Sequence, residues 1–214
     1  MKLSWFVFFE SGAQEVTGHN GVFRETPMTQ LQHWTNAQLL ACLFGTRGNY
    51  QACEETLEPL FNEMDGKLQR KGQALREVLR RWLEERLRRG EVMGQPAVVK
   101  DYLRLIFKGQ THESFWVLYL DAQHQLIQAE ELFRGTLTQT AVYPREVLKG
   151  ALRHNAAAIL LSHNHPSGMA QPSASDRQLT EVLKRAMALV DIRVLDHFLV
   201  AGPELVSFAE QGWV

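Results

Sequence analysis

Apolar residues along this chain follow two different rhythms, and the change between them divides it. In the first part the spacing is helical. Thr35 or Asn36 can cap a helix through Ala37 to Phe44, which Gly45 and Gly48 stop. A second helix spans Tyr50 to Met64 and ends before Asp65-Gly66. A third places Leu75, Val78, Leu79, Trp82, Leu83 and Leu87 on one apolar stripe, with its arginines on the opposite face. Two glycines and a proline between Gly90 and Pro96 then interrupt the periodicity. The boundary is therefore set there, giving a helical N-terminal region over 1–95 and a second domain over 96–214.

Beyond that point helices and strands alternate. Val98 to Phe107 reads as a helix, Phe115 to Leu120 as a strand, and Leu126 to Phe133 as its hairpin partner after a turn at Asp121 to Gln125. Tyr143-Pro144 opens a helix that continues to about His154, with proline at a tolerated first-turn position. The run Ala156 to Leu161 is a buried strand. A helix then presents Leu179, Val182, Leu183, Ala186, Met187 and Val190 on one face. Ile192 to Ala201 and Leu205 to Phe208 are strands joined at Gly202-Pro203-Glu204. This order predicts an α/β fold, a single mixed sheet with flanking helices.

The chemistry concentrates where the buried strand gives way to a Pro/Gly/Ser loop, in the window His-Asn-His-Pro-Ser-Gly-Met-Ala-Gln-Pro-Ser-Ala-Ser-Asp over 163–176. Alternate side chains of an extended segment point the same way, so His163 and His165 emerge together at the strand end. Asp176 stands at the start of the next helix. Two imidazoles and a carboxylate are the ligand set of a catalytic zinc that keeps its fourth position for water. The window implies a metal-dependent hydrolase with His163, His165 and Asp176 as ligands and Zn2+ as cofactor.

Such a centre needs a base near the metal water. Glu113, immediately before the Phe115–Leu120 strand, is the candidate, and Glu130 and Glu131 on the return strand compete with it. Ser173 can donate to the oxyanion of a tetrahedral intermediate. Ser173 or Ser175 can equally cap the helix. His197, which follows Asp196, is either a buried, satisfied imidazole or a residue behind the ligands. His19, His33, His112, His124 and His154 read as surface or packing residues.

Charge narrows the field further. The net charge of −1 over 214 residues gives no global signature for nucleic acid or membrane. Locally, residues 67–89 hold nine basic and three acidic residues, whereas 1–66 hold three and eight. That basic helix makes nucleic acid a candidate partner, the alternative being a solvated helix face. Cys42 and Cys53 lack zinc-finger spacing and fit unpaired, partly buried thiols in a reducing compartment. The apolar run Leu3 to Phe9 is too short to span a membrane and has no signal-peptide cleavage pattern, so the expectation is an N-terminal strand or lip in a cytoplasmic protein with no membrane partner.

His163-x-His165-Pro166 followed by Ser173-x-x-Asp176 resembles the JAMM (MPN/JAB) metalloprotease motif. Within that superfamily, Phe133-Arg-Gly-Thr-Leu, Tyr143-Pro144-Arg145-Glu146-Val147, the Ser162 to Gly168 run and Asp196-His197 are similar to the bacterial RadC-like branch, over roughly 97–210. The resemblance implies a cytidine-deaminase-like JAMM sheet and zinc held by the two histidines and the aspartate. It also implies an upstream glutamate as general base, which favours Glu113, and a peptide or isopeptide substrate. RadC-like proteins usually carry a helix-hairpin-helix. Leu31 to Thr46 is similar to its first part, but the Gly-x-Gly hairpin is missing. The leading expectation is a zinc peptidase or isopeptidase. The alternatives are a DNA-repair-associated nucleic-acid-binding protein or nuclease, and a metal-binding scaffold without turnover. Oligomeric state is not legible.

Overall fold

Strand alternation builds this fold from the inside. The computed structural model describes residues 34–45, 66–135 and 142–214. Helix α1 (Asn36–Phe44), α2 (Gly66–Arg89) and α3 (Pro96–Phe107) precede strands β1 (Ser114–Leu120) and β2 (Leu126–Arg134). Helix α4 (Pro144–Arg153), β3 (Ala158–Asn164), α5 (Ala174–Ala188), β4 (Arg193–Ala201) and β5 (Glu204–Ser207) follow. The sheet order is β2-β1-β3-β4-β5, antiparallel except for the β3–β4 pair, which α5 connects. This is the mixed α/β architecture that the hydrophobic pattern predicts. The Tyr50–Met64 helix and the Leu3–Phe9 run lie outside the described residues. Among those described, no helix is long and apolar enough to cross a membrane.

Each face of the sheet carries its own core. Leu118, Leu120, Leu160 and Val200 pack with Leu83, Leu87, Val92, Tyr102 and Leu103 from the α2–α3 side. Val117, Tyr119, Ile159 and Leu161 pack with Val147 and Ala151 of α4 and with Leu183 and Met187 of α5. Helix α4 comes so close to β1 that a Cβ on Gly150 would lie 2.0 Å from the Tyr119 hydroxyl, so only glycine permits the approach.

Two compact units are present, Met1–Gln69 and Arg70–Val214. In the first, α1 starts where expected: Thr35 Oγ1 accepts from the Gln38 amide and Gln38 Oε1 accepts from the Thr35 amide. Cys42 is exposed on it, not partly buried. The division falls before Arg70, whereas the sequence places it at 95/96. The reason is that Leu87 and Val92 are fully buried in the same core as α3.

Helix α2 also departs from its expected faces. Leu83 and Leu87 point inward, but Val78, Leu79 and Trp82 are 61%, 41% and 52% exposed. The inward face is completed by arginine stems, which bury methylenes and send their charge to nearby acceptors. Arg76 Nη2 donates to the Leu105 and Ile106 carbonyls at 3.0 and 3.2 Å, satisfying the end of α3. Arg80 joins Glu77 and Glu84, Tyr102 donates to Glu84 at 2.8 Å, and Arg88 donates to the Ile127 carbonyl. The arginines are therefore not all on a solvated opposite face.

The predicted α5 face shifts in the same way. Thr180, Leu183 and Met187 are its buried positions, Val182 is exposed, and Val190 lies beyond the helix end.

Candidate metal centre

His163 follows Ile159 and Leu161 on one side of β3, the side that α5 covers. His165 is the first residue after the strand, and its amide still donates to Val200 of β4 at 2.9 Å. The chain then turns at once, with the Gly168 amide on the His165 carbonyl at 3.0 Å. Gly168 has φ +77°, a left-handed conformation that suits glycine. The turn brings the Met169 carbonyl onto His165 Nδ1 at 2.9 Å.

Asp176 is fixed by how α5 begins. Ser173 is the N-cap, its hydroxyl accepting from the Asp176 amide at 3.1 Å. Asp176 Oδ2 in return accepts from the Ser173 amide and hydroxyl, both at 2.7 Å. This capping box turns the carboxylate back toward the end of β3. Asp176 Oδ1 then lies 3.6 Å from His163 Nε2, and Oδ2 lies 3.6 Å from His165 Nε2. One ligand atom from each of the three residues falls within 4.8 Å of the other two.

Those 3.6 Å separations are too long for hydrogen bonds. His163 Nε2 is buried and has no hydrogen-bond partner among the described residues. Burial works against a charge on Asp176, yet the pull of His163, His165 and Ser173 prevails and holds its carboxyl well below the usual carboxylate range. Asp176 beside it raises the His165 imidazole. An anionic carboxylate facing a buried, unpartnered imidazole nitrogen is a donor set that a divalent cation fits.

Behind the three residues lies a chain of polar contacts. His163 Nδ1 is 2.8 Å from His197 Nε2, and His197 Nδ1 is 2.7 Å from Thr180 Oγ1. Thr180 Oγ1 donates to the Asp176 carbonyl at 2.7 Å. Asp196 supports this arrangement from β4, its carboxylate accepting from the His197 amide, Ser207 Oγ and the Ala209 amide.

Glu113 reaches the same place from another direction. A cavity of about 60 Å³ is lined by Glu113, Ser114, Phe115, Val142, His163, Asp176 and Leu179. Asn164, the middle residue of the His-x-His triplet, holds the peptide groups on either side of Glu113. Its Oδ1 accepts from the Ser114 amide at 2.8 Å and its Nδ2 donates to the His112 carbonyl at 3.0 Å. The competitors are committed elsewhere: Glu130 to Arg153 and to His154, Glu131 to Arg134. They do not line the cavity.

Sequence reading passes over Asn164 and Thr180. Thr180 leaves a faint signal, being one helical turn after Asp176 on the buried face of α5. Asn164 leaves none, because its partner lies fifty residues away.

Residues 93–213 match the family described as RadC-like JAB domain. Curated relatives called UPF0758 protein include one from Chromobacterium violaceum, 56% identical over 141 residues, and one from Thiobacillus denitrificans, 57% over 140 residues. Another, from Methylibium petroleiphilum, is 58% identical over 139 residues. The matches cover 65–66% of this chain, which spans 62–63% of the length of these relatives.

Proposed function

This chain belongs to the RadC-like JAB domain family, and from that premise we propose that it is a zinc-dependent hydrolase. His163, His165 and Asp176 hold the metal. One observation carries the reading: the Nε2 atoms of two histidines converge on one carboxylate, and the more buried of them has no hydrogen-bond partner among the described residues. Zinc in such a site supplies acidification of water to a pKa of about 7 and polarisation of a carbonyl.

Glu113 is the general base, since it shares the cavity with His163 and Asp176 while Glu130 and Glu131 are paired elsewhere. Ser173 donates to the developing oxyanion, for which its hydroxyl hydrogen must turn from Asp176 toward the substrate. The bond cleaved is an amide in a peptide or isopeptide substrate, as the resemblance to the JAMM superfamily implies. The nucleic-acid reading gains no support from α2, where Arg76, Arg80, Arg81, Arg88 and Arg89 all meet acceptors of the protein itself.

Metal content tests the proposal. The purified protein is expected to hold close to one zinc per chain, and Asp176→Ala to hold none; a variant that keeps stoichiometric zinc removes the assignment. Glu113→Gln is expected to retain zinc and to lose turnover of any peptide or isopeptide substrate found for the wild type. Full activity in that variant would exclude Glu113 as the base.

A further inference from the structure

We infer that Thr180 and His197 are positioning residues that order the protons behind the metal centre, fixing His163 in the one tautomer whose Nε2 is open to a metal. The inference rests on the zinc reading above and follows from donor and acceptor counting. The Asp176 carbonyl can only accept, so the Thr180 hydroxyl hydrogen, 2.7 Å from it, points there. Thr180 Oγ1 must then accept from His197 Nδ1–H. A neutral His197 has a lone pair left at Nε2, which accepts from His163 Nδ1–H. His163 Nε2 is left with its lone pair facing Asp176. The reverse order would place a hydrogen on that nitrogen and close it to a metal.

Burial leaves only this order and its reverse, and the 2.7 Å approach of the Thr180 hydroxyl to a carbonyl selects the first. Thr180 and His197 are fully buried, and His163 is 7% exposed, so water does not substitute for any member. His197 sits between aromatic rings, its centroid 5.6 Å from that of Phe115 and 4.5 Å from that of Phe208. The relay also starts and finishes on the same residue. It runs from the main chain of Asp176 through α5 and β4 to β3, and returns to the Asp176 side chain. The backbone position of one ligand thereby sets the protonation pattern of another.

The test needs no substrate. Ring nitrogens of the full-length, 15N-histidine-labelled protein are observed by NMR, metal-free at about pH 8, above the ordinary imidazole range. Zinc affinity is measured in parallel by chelator competition for wild type, Thr180→Val and Thr180→Ser. Both His163 and His197 are expected as Nδ1–H tautomers. Thr180→Val, equal in shape but without the hydroxyl, is expected to bind zinc roughly 10–100-fold more weakly. Thr180→Ser is expected to restore the affinity, which a purely space-filling role would not produce.

An Nε2–H tautomer at His197, or wild-type zinc affinity in Thr180→Val, overturns the relay. Absence of zinc affinity in the wild type overturns the hydrolase reading instead, and the tautomers still decide the relay. If Thr180→Val does not fold, the wild-type tautomers decide alone.

Discussion

Helix α2 carries nine of the chain's 23 lysines and arginines, while the first turn of α5 contributes one carboxylate, and the two use charge in opposite ways. On α2 the cations end on acceptors that match them: Arg76 on the carbonyls closing α3, Arg80 between Glu77 and Glu84, Arg88 on a β2 carbonyl. For these three arginines polar demand is met within the protein, and what results is attachment of the helix to the core. On α5, Asp176 and the two histidines converge without cancelling, and a buried nitrogen is left without a hydrogen-bond partner among the described residues. Density of charge is thus a poor guide to where polar groups are left incomplete. The better guide is charge or lone pairs brought together and left incomplete, because a buried unsatisfied group is costly unless something else completes it.

This contrast can be broken from either side. The largest effect belongs to the core contribution of α2. Leu87→Ala is expected to lower unfolding free energy by about 2–5 kcal/mol in urea denaturation, because Leu87 is fully buried. A loss below about 1 kcal/mol would detach α2 from the unit beginning at Arg70.

An intermediate effect belongs to the start of α5. Ser173→Ala removes a helix cap, worth about 1 kcal/mol. It also removes a hydrogen bond to Asp176 Oδ2, so zinc affinity measured by chelator competition is expected to fall with it. Unchanged affinity in a destabilised variant would show that the cap serves the helix only.

The smallest effect belongs to the exposed cations. Arg81 and Arg89, 74% and 77% exposed, pair with Glu77 and Glu85 at the surface. Reversing both to glutamate is expected to change stability by no more than about 1 kcal/mol. It should also leave any retention on DNA, titrated against salt, unaltered. A steeply salt-dependent affinity that the reversal abolishes would restore α2 as a nucleic-acid surface.

The β3–loop–α5 segment was legible because everything that defines it is local. A run of aliphatics, a period of two, a Pro/Gly turn and a Ser-x-x-Asp cap all act within a few residues, and their geometry follows from the backbone. The convergence of His163, His165 and Asp176 inherits that legibility. Asn164 was not legible and Thr180 only faintly so, since each acts through a residue that only the folded sheet brings near, Ser114 and His197 respectively. His197 is a fully buried histidine whose two ring nitrogens meet His163 and Thr180. The faces of α2 misled for a related reason: periodicity counts leucine and tryptophan but not arginine methylenes. Arg76 and Arg80 are partly buried where Val78 and Trp82 are exposed.

Asn164 also determines how the site is held together. Its side chain grips the peptide groups on both sides of Glu113 while its own main chain lies between His163 and His165. The end of β3 is thereby tied directly to the segment ahead of β1, which Gln110 also holds through the Ser114 hydroxyl. A short polar side chain gives two distant parts of the chain a common frame of reference.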